Sequence, residues 1–229
     1  MDPGGRRRRL DAARLYLCTP IREDLADFAG AVLGAGVDVI QLRDKQAEAV
    51  PLLRAARVLR EAADRHGALL AVNDRADVAL AAGADVLHLG QGDLPMDWAR
   101  RIVGGEVLLG RSTHDLEQAR RAVAEGWDYF AVGPVYPTAT KPGRPTVGTA
   151  LLQAVAALVP PVPWFAIGGV DRSNLAEVTA TGVSRVVVVR AITDAADPAA
   201  AAAELRRLLG EADRRAAAGA PQRAIRPSI

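Results

Sequence analysis

Residues 39–66 read VIQLRDKQAEAVPLLRAARVLREAADRH and contain one complete structural unit of this chain. The apolar run at 39–43 predicts a strand buried on both faces, and the spacing of apolar residues at 47–66 predicts a helix. A short polar cluster, Arg43-Asp44-Lys45, lies between them. A strand, a polar turn and a helix in this order are typical of a parallel α/β fold.

The same unit recurs along the whole chain. Further strands are predicted at 15–19, 69–73, 86–89, 107–111, 129–133, 164–168 and 185–190, and further helices at 23–34, 76–82, 96–103, 116–125, 149–158, 173–181 and 198–209. Eight units in 229 residues favour a single (β/α)8 TIM barrel, which typically needs about 250 residues. The alternative is a doubly wound open sheet, which would leave two edges to protect. We predict one barrel domain at residues 12–210.

The basic residues are concentrated at the two ends. Residues 1–10 and residues 213–229 each carry four Arg and one Asp, so the body at 11–212 has a net charge of −4 although the chain carries +2. We predict disordered basic tails at 1–11 and 211–229 and no nucleic-acid partner. No apolar run approaches the roughly 18 residues of a membrane span, and no secretory signal is visible. The single cysteine, Cys18, favours a buried thiol and a reducing cytoplasm, while the oligomeric state stays open.

Polar clusters follow the predicted strands, where an α/β barrel places its functional groups. In the first cluster, strand alternation directs Gln41, Arg43 and Lys45 to one side and Leu42 and Asp44 to the other. A guanidinium fork beside an ammonium suits a diphosphate. The alternative is an exposed charge run in a loop.

Asn73-Asp74 and Asp93 follow the next two strands. Mg²⁺ prefers oxygen ligands, usually one or two carboxylates together with substrate phosphates. The two aspartates therefore predict a Mg²⁺ site, one ion per subunit. Asp74 could instead cap the following helix, and Asp93 could be a turn residue.

The fifth strand is followed by Ser112, which offers a hydroxyl to an anion at the start of a helix. The alternative is a capping box formed by Ser112 and Asp115. We interpret His88 as a hydrogen-bonded core residue and His114 as a solvated surface residue. No His or Cys cluster has the spacing of a zinc site.

Two loops complete the pattern. Residues 133–141 read GPVYPTATK and offer hydroxyls and a cation on a backbone stiffened by proline, and Gly168-Gly169 follows the seventh strand. Long loops at a barrel mouth are usually functional, and glycine permits close approach of the backbone to a phosphate. The two loops and the first clusters predict two anion sites, one for a diphosphate with a metal ion and one for a monophosphate.

The ordered set of clusters at 41–45, 73–74, 90–93, 110–113, 133–141 and 165–170 resembles the thiamine-phosphate synthase family of TIM-barrel enzymes, over residues 14 to 209. The resemblance implies Mg²⁺-dependent coupling of 4-amino-2-methyl-5-(diphosphooxymethyl)pyrimidine to 4-methyl-5-(2-phosphooxyethyl)thiazole. Diphosphate leaves first, and the thiazole nitrogen then attacks the pyrimidine cation.

The resemblance also implies a role for each matching residue. The pyrimidine diphosphate would be held by Gln41, Leu42, Arg43, Asp44, Lys45, Asn73, Ser112 and Lys141, of which Arg43, Lys45, Ser112 and Lys141 would act catalytically. The thiazole phosphate would be held by Thr138, Ala139, Thr140, Gly169, Val189 and Arg190, and Mg²⁺ by Asp74 and Asp93. Arg190 departs from the family, which often has Val-Ser-Ala-Ile where this chain has Val189-Arg190-Ala191-Ile192.

Three other functions share parts of this pattern. A thiazole tautomerase would need proton-transfer groups and no metal site. A phosphate-binding sensor would need no activation of a leaving group. A sugar-phosphate isomerase or epimerase would place a base in the barrel mouth. The two aspartates together with Lys45 favour the synthase over the first two. Metal-dependent release of diphosphate would distinguish it from all three.

Overall fold

The computed structural model describes residues 3–138, 143 and 145–219. Within these residues eight parallel strands close into a barrel, in which each strand pairs with the next and β8 pairs with β1. The strands are β1 Leu15–Thr19, β2 Val39–Leu42, β3 Leu69–Asn73, β4 Val86–Leu89, β5 Leu108–Thr113, β6 Tyr129–Val132, β7 Trp164–Ile167 and β8 Val186–Val188. The predicted TIM barrel is confirmed.

Helices surround the barrel and alternate with the strands. They are α1 Pro3–Ala12, α2 Leu25–Gly34, α3 Ala49–His66, α4 Ala76–Ala81, α5 Met96–Val103, α6 Leu116–Glu125, α7 Gly148–Ala157, α8 Leu175–Ala180, α9 Arg190–Thr193 and α10 Pro198–Gly219. The sequence analysis did not predict α1 or the short α9. In the described ranges, none of the helices has the length and apolar character that crossing a membrane requires.

Strand residues alternate between two apolar layers, as expected for parallel strands covered on both faces. One layer packs against the surrounding helices, and the other fills the barrel with Tyr16, Val39, Leu69, Val86, Leu108, Tyr129, Phe165 and Val187. The Tyr129 ring occupies the space above Gly110, where a Cβ atom would lie 2.1 Å from the ring. Glycine at position 110 therefore makes room in the barrel interior for the aromatic ring of Tyr129.

Helix α1 closes the amino-terminal end of the barrel. Leu10 is fully buried among the interior residues, and Arg6 and Arg7 form ion pairs with Asp85 and Asp128. The prediction of a disordered tail was wrong for residues 3–11, which lie in a helix whose Arg6 and Arg7 are bound by acidic groups distant in sequence. Near the carboxyl terminus of the chain, α10 extends into the second predicted tail as far as Gly219. Asp213 of this helix pairs with Arg14 at 3.0 Å.

A repeated Gly-x-Asp motif also anchors the amino-terminal end of the barrel. It occurs at 36–38, 83–85 and 126–128, just before β2, β4 and β6. Each aspartate accepts a hydrogen bond from a backbone amide of the preceding strand: Asp38 from Leu15, Asp85 from Leu70 and Asp128 from Leu109, at 2.7–3.0 Å. The motif thus fixes the register of three strand pairs and supplies the carboxylates to which the arginines of α1 bind.

Replacing Leu10 with alanine tests whether α1 is part of the barrel core. Because Leu10 is fully buried, we expect the free energy of unfolding to fall by about 2–5 kcal/mol, measured by urea denaturation. Val50→Ala is the matched control, since Val50 is 57% exposed on α3. Equal, small losses for the two variants would contradict the assignment of α1 to the barrel core.

Candidate active site

A cavity of about 440 Å³ lies at the carboxyl ends of the strands. Every strand contributes a lining residue: Cys18, Gln41, Asn73, His88, Ser112, Ala131, Ile167 and Val187. A cavity of this size is typical of sites for small molecules, and this end of a TIM barrel carries the catalytic groups. The cavity is therefore the candidate active site.

The structure brings many of the predicted residues to this cavity. Its lining includes Gln41, Arg43, Asn73, Ser112, Thr138, Gly169, Val189 and Arg190. Leu42 does not line it, since its side chain is buried in the layer between strands and helices. Asp44 instead accepts a hydrogen bond from the backbone amide of Gln46. Ala139, Thr140 and Lys141 lie outside the described residues.

The three charged residues Lys45, Asp74 and Asp93 form a cluster beside the cavity. The Nζ atom of Lys45 lies 3.0 Å from Oδ2 of Asp74, and the carboxyl groups of Asp74 and Asp93 are hydrogen-bonded to each other. Asp74 has a φ of 62°, a left-handed conformation that non-glycine residues seldom adopt. Asp74 does not cap α4, because Arg75 occupies the N-cap position.

The two carboxyl groups have opposite pKa shifts. Burial, and then the hydrogen bond to Asp93, raise the pKa of Asp74. For Asp93, burial acts to raise the pKa, but hydrogen bonds from Asp74 and the Gly90 amide outweigh it and the pKa is lowered. A carboxyl pair that shares a hydrogen bond retains one proton more tightly, and a cation bound between the two groups would favour the ionised form of both.

The donor set of this pair fits Mg²⁺. It consists of carboxylate oxygens, which hard cations prefer, and it leaves positions for phosphate oxygens and water. Among the described residues no group of three or more His, Cys, Asp and Glu side chains is placed to hold a metal ion. A site of two carboxylates that substrate phosphates complete is the usual arrangement for Mg²⁺.

Arg111 supports the turn that carries Asp93. Its guanidinium donates to the carbonyl of Gly90 at 2.8 Å and lies over the Trp127 ring, 4.9 Å from the ring centre. The amide of Gly90 in turn donates to Oδ2 of Asp93 at 2.6 Å. The position of Asp93 is therefore set by a residue of β5, which the sequence analysis did not identify.

Two interpretations of residues 112–115 were wrong: the capping box of Ser112 and Asp115, which was one of two alternatives, and the solvated His114. Asp115 caps α6, accepting a hydrogen bond from the Gln118 amide at 2.7 Å, and Ser112 takes no part in this cap. Ser112 instead lies within β5, and its Oγ is 2.9 Å from Nε2 of His88. His114 is not a solvated surface residue, since it lines the cavity and its Nδ1 is hydrogen-bonded to the carbonyl of Gly133.

The turn at Gly168-Gly169 is closely packed. Gly169 has a φ of 69°, and a Cβ atom there would lie 2.7 Å from the Cβ of Tyr136 and 2.9 Å from the carbonyl oxygen of Pro137. Asn174 holds the turn by donating to the carbonyl of Gly169 at 2.8 Å. A side chain at position 169 would therefore displace the segment that carries Thr138.

Comparison with known proteins gives a consistent result. Residues 15–192 match the model of the family described as thiamine monophosphate synthase. The chain belongs to this family. It is 58% identical over 216 residues to a thiamine-phosphate synthase of Mycolicibacterium smegmatis, covering 89% of this chain and 95% of the relative. For the thiamine-phosphate synthase of Saccharopolyspora erythraea the identity is 59% over 220 residues, with 92% and 99% covered.

A solved structure agrees with these sequence matches. The thiamine phosphate pyrophosphorylase from Pyrococcus furiosus is similar with a TM-score of 0.80 and 33% identity, covering 90% of this chain and 98% of that one. Membership of the thiamine monophosphate synthase family makes the chain a transferase of thiamine biosynthesis that acts on small molecules.

The floor of the cavity was not predicted from the sequence. Two buried tyrosines, Tyr16 and Tyr129, lie beneath the lining residues Gln41 and His88 and are hydrogen-bonded to them. The sequence offers little signal for this arrangement, because tyrosines in apolar strands usually indicate ordinary core packing. Only the closed barrel brings residues of β1 and β6 together.

Proposed function

We propose that this chain condenses 4-amino-2-methyl-5-(diphosphooxymethyl)pyrimidine with 4-methyl-5-(2-phosphooxyethyl)thiazole, giving thiamine phosphate and diphosphate. The observation that carries the proposal is the cluster of Lys45, Asp74 and Asp93 beside a cavity that Arg43 lines. Cations next to paired carboxylates suit a polyanion that binds with a metal ion, and family membership supports the choice of these two substrates.

The diphosphate of the pyrimidine substrate would be held by Arg43, Lys45 and Ser112. Arg43 offers a bidentate fork, Lys45 a point charge, and Ser112 a hydroxyl at the cavity wall. Gln41 and Asn73 also line the cavity, and they would contact the same substrate. Lys141, which the family resemblance assigns to the leaving group, remains part of this proposal.

Asp74 and Asp93 would hold Mg²⁺, one ion per subunit. When bound, the ion would neutralise charge on the diphosphate and so make it a better leaving group. In the protein itself, Lys45 stabilises the carboxylate pair through its contact with Asp74, and the Gly90 amide orients Asp93.

The thiazole phosphate would occupy the opposite side of the cavity, at Thr138, Gly169, Val189 and Arg190, together with Ala139 and Thr140. Gly168 and Gly169 line this side of the cavity with φ values of 101° and 69°, and their backbone amides would bind the phosphate. Arg190 lines this side and would add a cation where many family members have serine.

The chemistry requires one bond to break and one to form. The C–O bond between the pyrimidine methylene and the diphosphate breaks, and both electrons leave with the diphosphate. The lone pair of the thiazole nitrogen then forms the C–N bond, and no proton is lost at that nitrogen. A strong general base is therefore unnecessary. Arg43, Lys45 and Ser112 would stabilise the charge that develops on the leaving group, and holding both rings in one cavity lowers the entropic barrier.

Replacing Ser112 with alanine tests the assignment of this hydroxyl. We expect kcat/KM to fall by about 10²-fold, since a preorganised donor to the developing anion is lost. Ser184→Ala is the control, because Ser184 lies at the opposite end of the barrel just before β8. Equal activity of the two variants would remove Ser112 from the leaving-group site.

The proposed reaction is tested by incubating the purified protein with both substrates and Mg²⁺. Thiamine phosphate is measured by oxidation to its fluorescent thiochrome derivative. We expect product in the complete mixture and none when either substrate is omitted. Folded protein that gives no product, or that only isomerises the thiazole phosphate, would contradict the synthase and favour the tautomerase.

A cytoplasmic location remains a prediction.

A further inference from the structure

A continuous chain of hydrogen bonds crosses the barrel interior below the cavity. Gln41 Nε2 donates to the Tyr16 hydroxyl at 2.8 Å, which lies 3.0 Å from the Tyr129 hydroxyl. The Tyr129 hydroxyl is 2.9 Å from Nδ1 of His88, and Nε2 of His88 is 2.9 Å from Oγ of Ser112. We call these five residues, Gln41, Tyr16, Tyr129, His88 and Ser112, the relay.

The two tyrosines of the relay are sealed from solvent. Tyr16 and Tyr129 are almost fully buried, with exposures of 1% and 0%, whereas Gln41, His88 and Ser112 line the cavity. Burial raises the pKa of both tyrosine hydroxyls, so both keep their protons. The reaction proposed above assigns no role to Tyr16, Tyr129 or His88.

The direction of the relay follows from its first member. The Sγ of Cys18 donates to Oε1 of Gln41 at 3.0 Å, which leaves the amide nitrogen facing Tyr16. Tyr16 accepts from Gln41 and therefore donates to Tyr129, which in turn donates to Nδ1 of His88. The ring proton of His88 is then on Nε2, where it donates to Ser112. The Ser112 hydroxyl is left to donate into the cavity.

Two other proton arrangements are less favourable. With His88 doubly protonated, Tyr129 would accept from both His88 and Tyr16, and its own buried hydroxyl proton would lose its acceptor, a costly state. With the Gln41 amide reversed, every donor would point the other way, and Ser112 would donate to His88 instead of to the cavity. The Cys18 thiol would also lose its oxygen acceptor. An anion in the cavity favours the forward direction, because successive hydrogen bonds then polarise one another toward it.

We propose that His88, Tyr129 and Tyr16 are positioning residues that hold the Ser112 hydroxyl as a hydrogen-bond donor to the leaving diphosphate. This inference rests on the proposed function for its anion, and it adds three residues that touch no reacting atom. Their effect on turnover is exerted through Ser112 alone.

A double-mutant cycle separates this role from a merely structural one. Tyr129→Phe keeps the ring over Gly110 but removes the hydroxyl that fixes the His88 tautomer. We expect kcat to fall by about tenfold, the value of one oriented hydrogen bond. In a Ser112→Ala background the same change is expected to alter kcat by less than about twofold. Losses that multiply in the double variant would show that Tyr129 does not act through Ser112.

The tautomer of His88 provides a second test that does not depend on activity. The chain has three histidines, so ¹⁵N spectra of the imidazoles are assigned with His66→Gln and His114→Gln. We expect the His88 proton on Nε2 in the wild type, free and with inorganic diphosphate and Mg²⁺, and loss of this single tautomer in Tyr129→Phe. A proton on Nδ1, or on both nitrogens, would overturn the relay. A protein that makes no thiamine phosphate but shows the Nε2 tautomer would refute the proposed function and leave the relay direction intact.

Discussion

Replacing Asp74 with asparagine is expected to lower kcat/KM for the coupling reaction by at least about 10²-fold. The exchange keeps the shape of the side chain but removes a negative charge from the pair that Asp74 forms with Asp93 beside Lys45. A cation held by this pair would bind more weakly, and the leaving diphosphate would be less well neutralised. Initial rates at several Mg²⁺ concentrations measure the effect, and we expect high Mg²⁺ to restore part of the activity.

Asp77→Asn is the matched control for this variant. Asp77 lies three residues further along the chain, its side chain is 62% exposed, and it pairs with Arg75 on the surface. We expect this control to keep the wild-type rate and Mg²⁺ dependence. If the two variants behaved alike, the carboxylate pair would not be the cation site.

Replacing Asp85 with alanine is expected to lower the free energy of unfolding by about 3–5 kcal/mol. The Asp85 side chain is 1% exposed and binds Arg6 at 2.9 Å, Arg60 at 2.5 Å and the backbone amide of Leu70 at 3.0 Å. Its removal takes the buried carboxylate away from two guanidinium groups and from the Leu70 amide. Urea denaturation followed by circular dichroism measures the loss.

The chain offers a close control for Asp85. Asp64 also pairs with Arg60, at 2.8 Å, but its side chain is 57% exposed. We expect Asp64→Ala to change stability by no more than about 0.5 kcal/mol, because exposed ion pairs contribute little. Similar losses for the two aspartates would mean that burial does not govern the strength of these pairs.

The sequence predicted the barrel because its signals are local. Strands such as Leu15–Thr19 and Leu69–Asn73 have the predicted bounds, since a short apolar run flanked by turn residues is sufficient to recognise a buried strand. Helix α1 was missed for the opposite reason. Its four consecutive arginines indicate solvation when considered alone, and only the fold brings Asp85 and Asp128 to them.

The sequence also predicted part of the candidate site. Residues at the ends of strands, such as Arg43 and Asn73, were found because every strand of a parallel barrel directs its carboxyl end to one mouth. Residues that act on others across the barrel were not found. Tyr16 and Tyr129 are 113 residues apart, and Arg111 supports Asp93 through the backbone of Gly90. Such contacts depend on the closed barrel and leave no pattern in the local sequence.

The central claim is that this cavity releases diphosphate from the pyrimidine substrate as it joins the two rings. The most direct measurement quantifies diphosphate and thiamine phosphate together, using protein freed of divalent ions by EDTA and then supplied with Mg²⁺. We predict that both products form in equal amounts after Mg²⁺ is added and that neither forms before. Folded protein that forms neither product with Mg²⁺, or releases diphosphate without forming thiamine phosphate, would contradict the account.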